Sequence, residues 1–129
     1  MVGRALLDTN IVIALFADEE SVKQHLANVS GVFVPSIVLG ELYYGARQSA
    51  RSEQNIARID EFAVNNRILL CDTTTARQYG AIKNQLRTKG KPMPENDIWI
   101  AAIAEQHQLI LVTWDRHFQN VARLTIERW

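Results

Sequence analysis

The sequence predicts an α/β protein, a parallel sheet covered on both faces by helices. Two observations carry that expectation. Strand-sized apolar runs alternate with helix-length segments of mixed or 3.6-residue period along the whole chain, and parallel strands require crossover helices between them. No internal repeat or low-complexity linker interrupts the alternation, so all 129 residues, 1–129, are read as one domain, long enough to bury one continuous core.

In chain order, the first strand is expected over Arg4–Leu7, closed by Asp8, and a helix could begin near Asn10. A helix follows over Ser21–Val29 and a strand over Gly31–Val34. Helices are expected over Ser36–Arg47 and Ser52–Val64, each opened by a serine suited to an N-cap. The third strand is Arg67–Cys71, bounded by Asp72 and a threonine run. A long helix covers Thr75–Lys89, and KGKPMPEN then follows, its two prolines fixing an extended path. The pattern ends with a helix over Asn96–His107 and strands over Leu109–Val112 and Leu124–Ile126.

Composition narrows the function classes. Hydrophobic residues make up 47% and charged residues 22%, the proportions of an ordinary globular protein. Fourteen basic residues balance 14 acidic ones, so overall charge points to neither a nucleic acid nor a membrane. No apolar run approaches the length of a membrane span. The single cysteine, Cys71, cannot form an internal disulfide, and Met1 leads directly into strand-like RALLD without a signal-like leader; both favour a reducing, cytoplasmic setting.

Four carboxylates stand alone in or beside apolar runs: Asp8 in ALLDTNIVIALFA, Glu41 in PSIVLGELYYGA, Asp97 in NDIWIAAIA and Asp115 in LILVTWD. An isolated ionised group taken out of water loses several kcal/mol unless it is protonated, paired or bound to a cation. No lysine or arginine is regularly placed beside all four. Converged to about 5 Å, each pair would repel by roughly 3 kcal/mol at an effective dielectric of about 20, which a divalent cation would offset. Asp8 and Asp115 close strands, Asp97 opens a helix, and Ile37, Glu41 and Tyr44 share a helical face expected to point inward. Ordinary roles stand beside this one. Asp8 could cap a helix, Asp97 could complement a helix dipole, and Asp115 could hold a turn, but a mid-helix Glu41 has no capping duty. Asp72 is read as a cap. Asn10 and Thr113 are placed to hydrogen-bond Asp8 and Asp115.

Taken together, LLDTNIVIAL, SIVLGELYYGA, NDIWIAAIA, LVTWDRHF and the ending LTIERW resemble the PIN-domain ribonucleases, specifically the VapC-like toxins of toxin–antitoxin pairs. The resemblance spans essentially the whole chain. It implies a three-layer sandwich around a central, mainly parallel five-stranded sheet, with Asp8, Glu41, Asp97 and Asp115 holding Mg²⁺ or Mn²⁺ for phosphodiester hydrolysis. It also implies a homodimer, RNA as substrate and a separate antitoxin chain that covers the site. Related domains act in RNA processing without a toxin role, which stands as the alternative.

Readings from other classes remain open. A receiver-like phosphoacceptor domain shares the alternation and an acidic magnesium site, and Asp72 is the one acid available as its phosphoacceptor. A metal-free nuclease would need His25, His107 or His117, all on polar stretches read as exposed. Between Asp72 and Glu95 lie Arg77, Lys83, Arg87, Lys89 and Lys91 with no acid among them; Lys83, Arg87, Lys89 and Lys91 form a candidate phosphate-binding rim, with Arg47 and Arg51 a second one. A solvated helix face accounts for the same pattern.

Overall fold

The computed structural model describes residues 2–129; Met1 lies outside them. The chain runs β1 (Val2–Leu7), α1 (Thr9–Phe16), α2 (Glu20–Leu26), β2 (Val29–Pro35), α3 (Ser36–Arg47), α4 (Ser52–Val64), β3 (Arg67–Leu69), α5 (Thr73–Lys89), α6 (Glu95–His107), β4 (Ile110–Val112), a 3-10 turn (Arg116–Asn120) and β5 (Ile126–Glu127). The five strands form one sheet in the order β3-β2-β1-β4-β5, and every pairing is parallel. Central β1 pairs Leu6 with Phe33 of β2 on one side and with Leu111 of β4 on the other. From β1 the chain steps outward to β2 and β3, then returns to the far side at β4. Crossovers in these opposite directions, which parallel sheets make right-handed almost without exception, place helices on both faces.

The core follows from the apolar runs. Leu6, Leu7, Val34, Leu111 and Val112 are buried in the strands, Ile11, Val12 and Val38 beneath α1 and α3, and Ile100 and Ile103 in α6. Burial along α6 extends over Ile98 and Ile100–Ala104, as expected of a helix packed by neighbours on several sides.

Element boundaries depart from the sequence expectation where pairing decides them. α1 is a full helix rather than a possible start near Asn10. β2 begins at Val29, ending α2 at Leu26, because β1 extends far enough to pair Val2 with Val29. β3 stops at Leu69, the partner of Pro35, where β2 itself ends. Leu70 is therefore 67% exposed and Cys71 lies at the surface. β5 shifts to Ile126–Glu127, the residues that meet Leu111 and Val112. α5 starts at Thr73, fixed by a reciprocal cap in which the Thr75 backbone N–H donates to Asp72 Oδ1 and the Thr75 hydroxyl accepts from the Asp72 N–H, both at 3.0 Å. Gly90, at φ 69°, ends that helix in the left-handed conformation a glycine adopts without strain.

The inward stripe of α3 also differs. It consists of Val38, Leu42 and Ala46, one position round from the expected Ile37, Glu41 and Tyr44, and Tyr44 is 70% exposed. The apolar side chains take the core and leave Glu41 half-buried on the rim, where its charge keeps water.

Candidate active site

The reversal of strand order lies between β1 and β4, and the crevice beyond the carboxyl ends of strands at such a point is where open parallel sheets bind ligands. Asp8 follows β1 directly. Thr113 and Asp115 follow β4, Asp97 sits on the first turn of α6, and Glu41 on the second turn of α3, which packs near α6. The four acids come from four separate elements.

Hydrogen bonds fix three of them. Asp8 is 5% exposed; its Oδ1 accepts from the Thr9 N–H at 2.8 Å and its Oδ2 from the Thr113 hydroxyl at 2.7 Å. The Asp8 capping role is therefore present together with its place in the cluster. The Asn10 carboxamide also donates to Asp8 Oδ2 at 3.4 Å and to the Thr113 hydroxyl oxygen at 3.5 Å. Thr113 in turn accepts the Asp115 N–H at 3.0 Å, and the Thr9 hydroxyl donates to Glu41 Oε1 at 2.6 Å. Asp115 accepts the His117 N–H at 2.9 Å, holding the 3-10 turn. None of these bonds reaches Asp97.

The electrostatics follow. Burial pushes the Asp8 carboxyl up, against the lowering effect of its Thr113 and Thr9 hydrogen bonds, and the Glu41 and Asp115 charges add to the rise. Asp97 is pushed up to about 6, first by burial and then by the charges of Asp8, Asp115 and Glu41, with His117 opposing. No hydrogen bond contributes. A proton or a cation is therefore stabilised in this crevice. Thr113→Val should destabilise the protein by about 1–3 kcal/mol, because it strips a hydroxyl partner from the buried Asp8 carboxylate. Urea unfolding of the pair measures this, and an unchanged midpoint would show the bond to be dispensable.

Trp114 holds the segment between Thr113 and Asp115 from three directions. Its N–H donates to Asn10 Oδ1 at 3.3 Å, its carbonyl accepts from Arg128 at 2.9 Å, and its indole donates to the Trp129 carbonyl at 2.6 Å. Thr9 and this tryptophan network were not singled out from the sequence, and His117 was read there only as an exposed histidine. Thr9 stands within the D-T-N run, but nothing in the pattern marks its hydroxyl for Glu41, and His117 is brought to 3.0 Å from Asp115 by the 3-10 turn alone.

The structure also places the other residues singled out from the sequence. Lys83 does not face open solvent as a bare cation: its Nζ lies 2.7 Å from Glu95 Oε1, so the acid that ends the basic run in sequence pairs with it in space. Lys89 donates to the Asn120 carbonyl at 3.0 Å. Arg87, Lys91, Arg47 and Arg51 are exposed. His25 stacks on Trp129, with centroids 5.4 Å apart, and His107 is half-buried rather than exposed. Asp72, the acid a phosphoacceptor reading needs, serves as the cap of α5 and accepts from Gln106 at 2.9 Å. Trp99 is half-buried and stacks on Tyr79.

The donor set suits a hard divalent cation: carboxylate oxygens backed by hydroxyls and a carboxamide, with no thiolate. Among the described residues no three acidic, histidine or cysteine side chains form a finished coordination shell. A small octahedral ion that keeps several waters needs only one or two direct carboxylates, so acids that sense one another without crowding fit it. Asp8 and Asp97, the two whose charge burial disfavours most clearly, are the candidate direct ligands.

Comparison with known proteins agrees with this architecture. The PIN domain family model matches residues 5–124, a span that contains all four acids. The chain is 41% identical over 127 residues to Ribonuclease VapC2 of Haemophilus influenzae, covering 96% of each, and 34% identical over 127 residues to the tRNA(fMet)-specific endonuclease VapC of Salmonella typhimurium, again covering 96% of each. It superposes on the crystal structure of DNA-bound VapBC from Salmonella typhimurium with a TM-score of 0.90 at 32% identity, covering 99% of both chains. With VapBC2 from Rickettsia felis bound to a promoter DNA fragment the TM-score is 0.89 at 30% identity, covering 98% of both. The chain belongs to the PIN-domain nuclease family, in its VapC branch.

Proposed function

We propose that this chain is a Mg²⁺- or Mn²⁺-dependent endoribonuclease, the toxin of a toxin–antitoxin pair, with all 129 residues acting as one nuclease domain. The single observation that carries the reading is that Asp8, Glu41, Asp97 and Asp115, from four separate elements, come close enough beyond β1 and β4 for their charges to act on one another. Asp8 and Asp97 hold the cation directly; Glu41, steadied by Thr9, and Asp115, steadied by its own turn, complete the negative field and orient water. Bound there, the cation supplies the positive charge that acidifies water and stabilises the leaving oxygen. Water as nucleophile leaves the RNA 2′-hydroxyl unused, so the products carry a 5′-phosphate and a 3′-hydroxyl.

The relatives' names support RNA as substrate and the VapBC complexes support a separate antitoxin chain. Beside Glu41 an apolar cleft of about 250 Å³, lined by Ile13, Phe16, Leu42 and Ile59, offers that chain a seat next to the acids. We place the protein in the cytoplasm as a homodimer; the exposed Cys71 thiol suits a reducing compartment, and no helix among the described residues is long and apolar enough to cross a membrane. For the RNA rim, Arg87, Lys91, Arg47 and Arg51 are better placed than Lys83 and Lys89, which already have partners.

Purified protein incubated with total RNA should cleave it in Mg²⁺ and not in chelator, with new 5′-phosphate ends on mapping. Cyclic phosphates, or cleavage that survives chelation, would overturn the metal reading. Expression without the antitoxin should arrest growth, and the Asp8→Asn variant should not. Unhindered growth would assign the nuclease to RNA processing instead.

A further inference from the structure

α6 delivers Asp97, yet its start has no side-chain cap: Pro94 precedes it and supplies no capping hydrogen bond. At about 100° per residue, Glu95 and Trp99 share one face and Asp97, two residues from either, lies on the opposite one. That rear face meets an i, i+4 pair on α5. The Tyr79 ring stacks on Trp99 with centroids 4.1 Å apart and planes 13° apart. The Tyr79 hydroxyl donates to Glu95 Oε1 at 2.6 Å, and Lys83 Nζ donates to the same oxygen at 2.7 Å and to the Tyr79 hydroxyl oxygen at 3.1 Å.

We propose that this interlock of Tyr79 and Lys83 with Glu95 and Trp99 is a positioning device, which turns α6 so that Asp97 faces the other three acids. The proposal rests on the reading of Asp97 as a cation ligand. Lys83 and Glu95 are more than half exposed, at 54% and 56%, and such a pair adds little to overall stability. Its effect is on direction. A small rotation moves a carboxylate out of a site whose geometry must hold to a fraction of an ångström. The interlock also gives Lys83 a role that RNA contact does not require.

Charge signs make the test decisive. Acting only through space, Lys83 repels a cation and Glu95 attracts it, so Lys83→Met would tighten Mn²⁺ binding and Glu95→Gln would loosen it. Acting as an interlock, both variants loosen it. Mn²⁺ affinity, measured calorimetrically on the full chain, should weaken about two- to fivefold in each single variant, in line with the coupling of an exposed ion pair. The reversed pair, Lys83→Glu with Glu95→Lys, should bind Mn²⁺ as the parent does. Binding by Lys83→Met that equals or exceeds the parent's, or a reversed pair as weak as the singles, would overturn the proposal. Asp97→Asn serves as the reference: a parent that binds Mn²⁺ no better than this variant removes the ligand reading, and the interlock's purpose with it.

Discussion

Asp97→Asn is expected to lower RNA cleavage by at least about a thousandfold while making the cation-free protein more stable at neutral pH. The activity loss follows from removing a charge that holds the cation, whose stabilisation of transition-state charge amounts to several kcal/mol. The gain in stability follows from linkage. Asp97 titrates at about 6 in the folded chain against 3.8 as an ordinary aspartate, so between these values the folded state holds a proton that the unfolded state has released. Its contribution is fully present below about pH 4 and is lost as pH rises through about 6. Because the carboxyl is half exposed, solvent screening reduces the loss to on the order of 1 kcal/mol. The asparagine variant should lack this slope, and added Mg²⁺ should raise its melting temperature less than the parent's. Thermal unfolding at pH 5 and pH 7.5, with and without Mg²⁺, measures all three effects. A parent whose cation-free stability stays flat across that range would contradict the electrostatic account of the crevice.

Phe118→Ala should have the largest effect on folding. Phe118 is 0% exposed, the bulkiest side chain so completely buried, and it lies in the 3-10 turn that Asp115 caps. Truncating a buried phenylalanine typically costs about 3–5 kcal/mol, a large share of the roughly 5–15 kcal/mol that separates folded from unfolded domains. The ring anchors the turn three residues after Asp115. Its loss should therefore also release Asp115 from its hydrogen bond with the His117 N–H. Denaturant unfolding should show the full loss, and Phe118→Leu a smaller one. A shift below about 1 kcal/mol in the alanine variant would mean that the turn collapses onto the cavity and is not held by the ring.

Much of this architecture was legible in the residue order. Apolar runs too short for helices alternated with helix-length segments, and parallel pairing with crossover helices follows from that alternation alone. The lone acids of DTN, GEL, ND and TWD were conspicuous because an unpaired charge beside apolar residues is costly in any fold. The cap at Asp72 could be read for a similar reason, since its partner Thr75 is three residues away and the interaction is local. Boundaries were less legible. Where β3 stops depends on where β2 ends, and where β5 sits depends on Leu111 and Val112, which are distant in sequence.

By itself, then, the sequence determined the alternation, the apolar interior and the chemical type of the donors, because these depend on local pattern and on the cost of burying charge. Tertiary structure decided which donors meet. Strand order brought the ends of β1 and β4 together, packing rotated α3 until Glu41 reached only the rim, and the α5–α6 contact paired Lys83 with Glu95. Through-space interactions among side chains depend on distances that chain order does not contain, so the raised Asp97 carboxyl, the Thr9 bond to Glu41 and the approach of His117 to Asp115 emerged only in the folded protein.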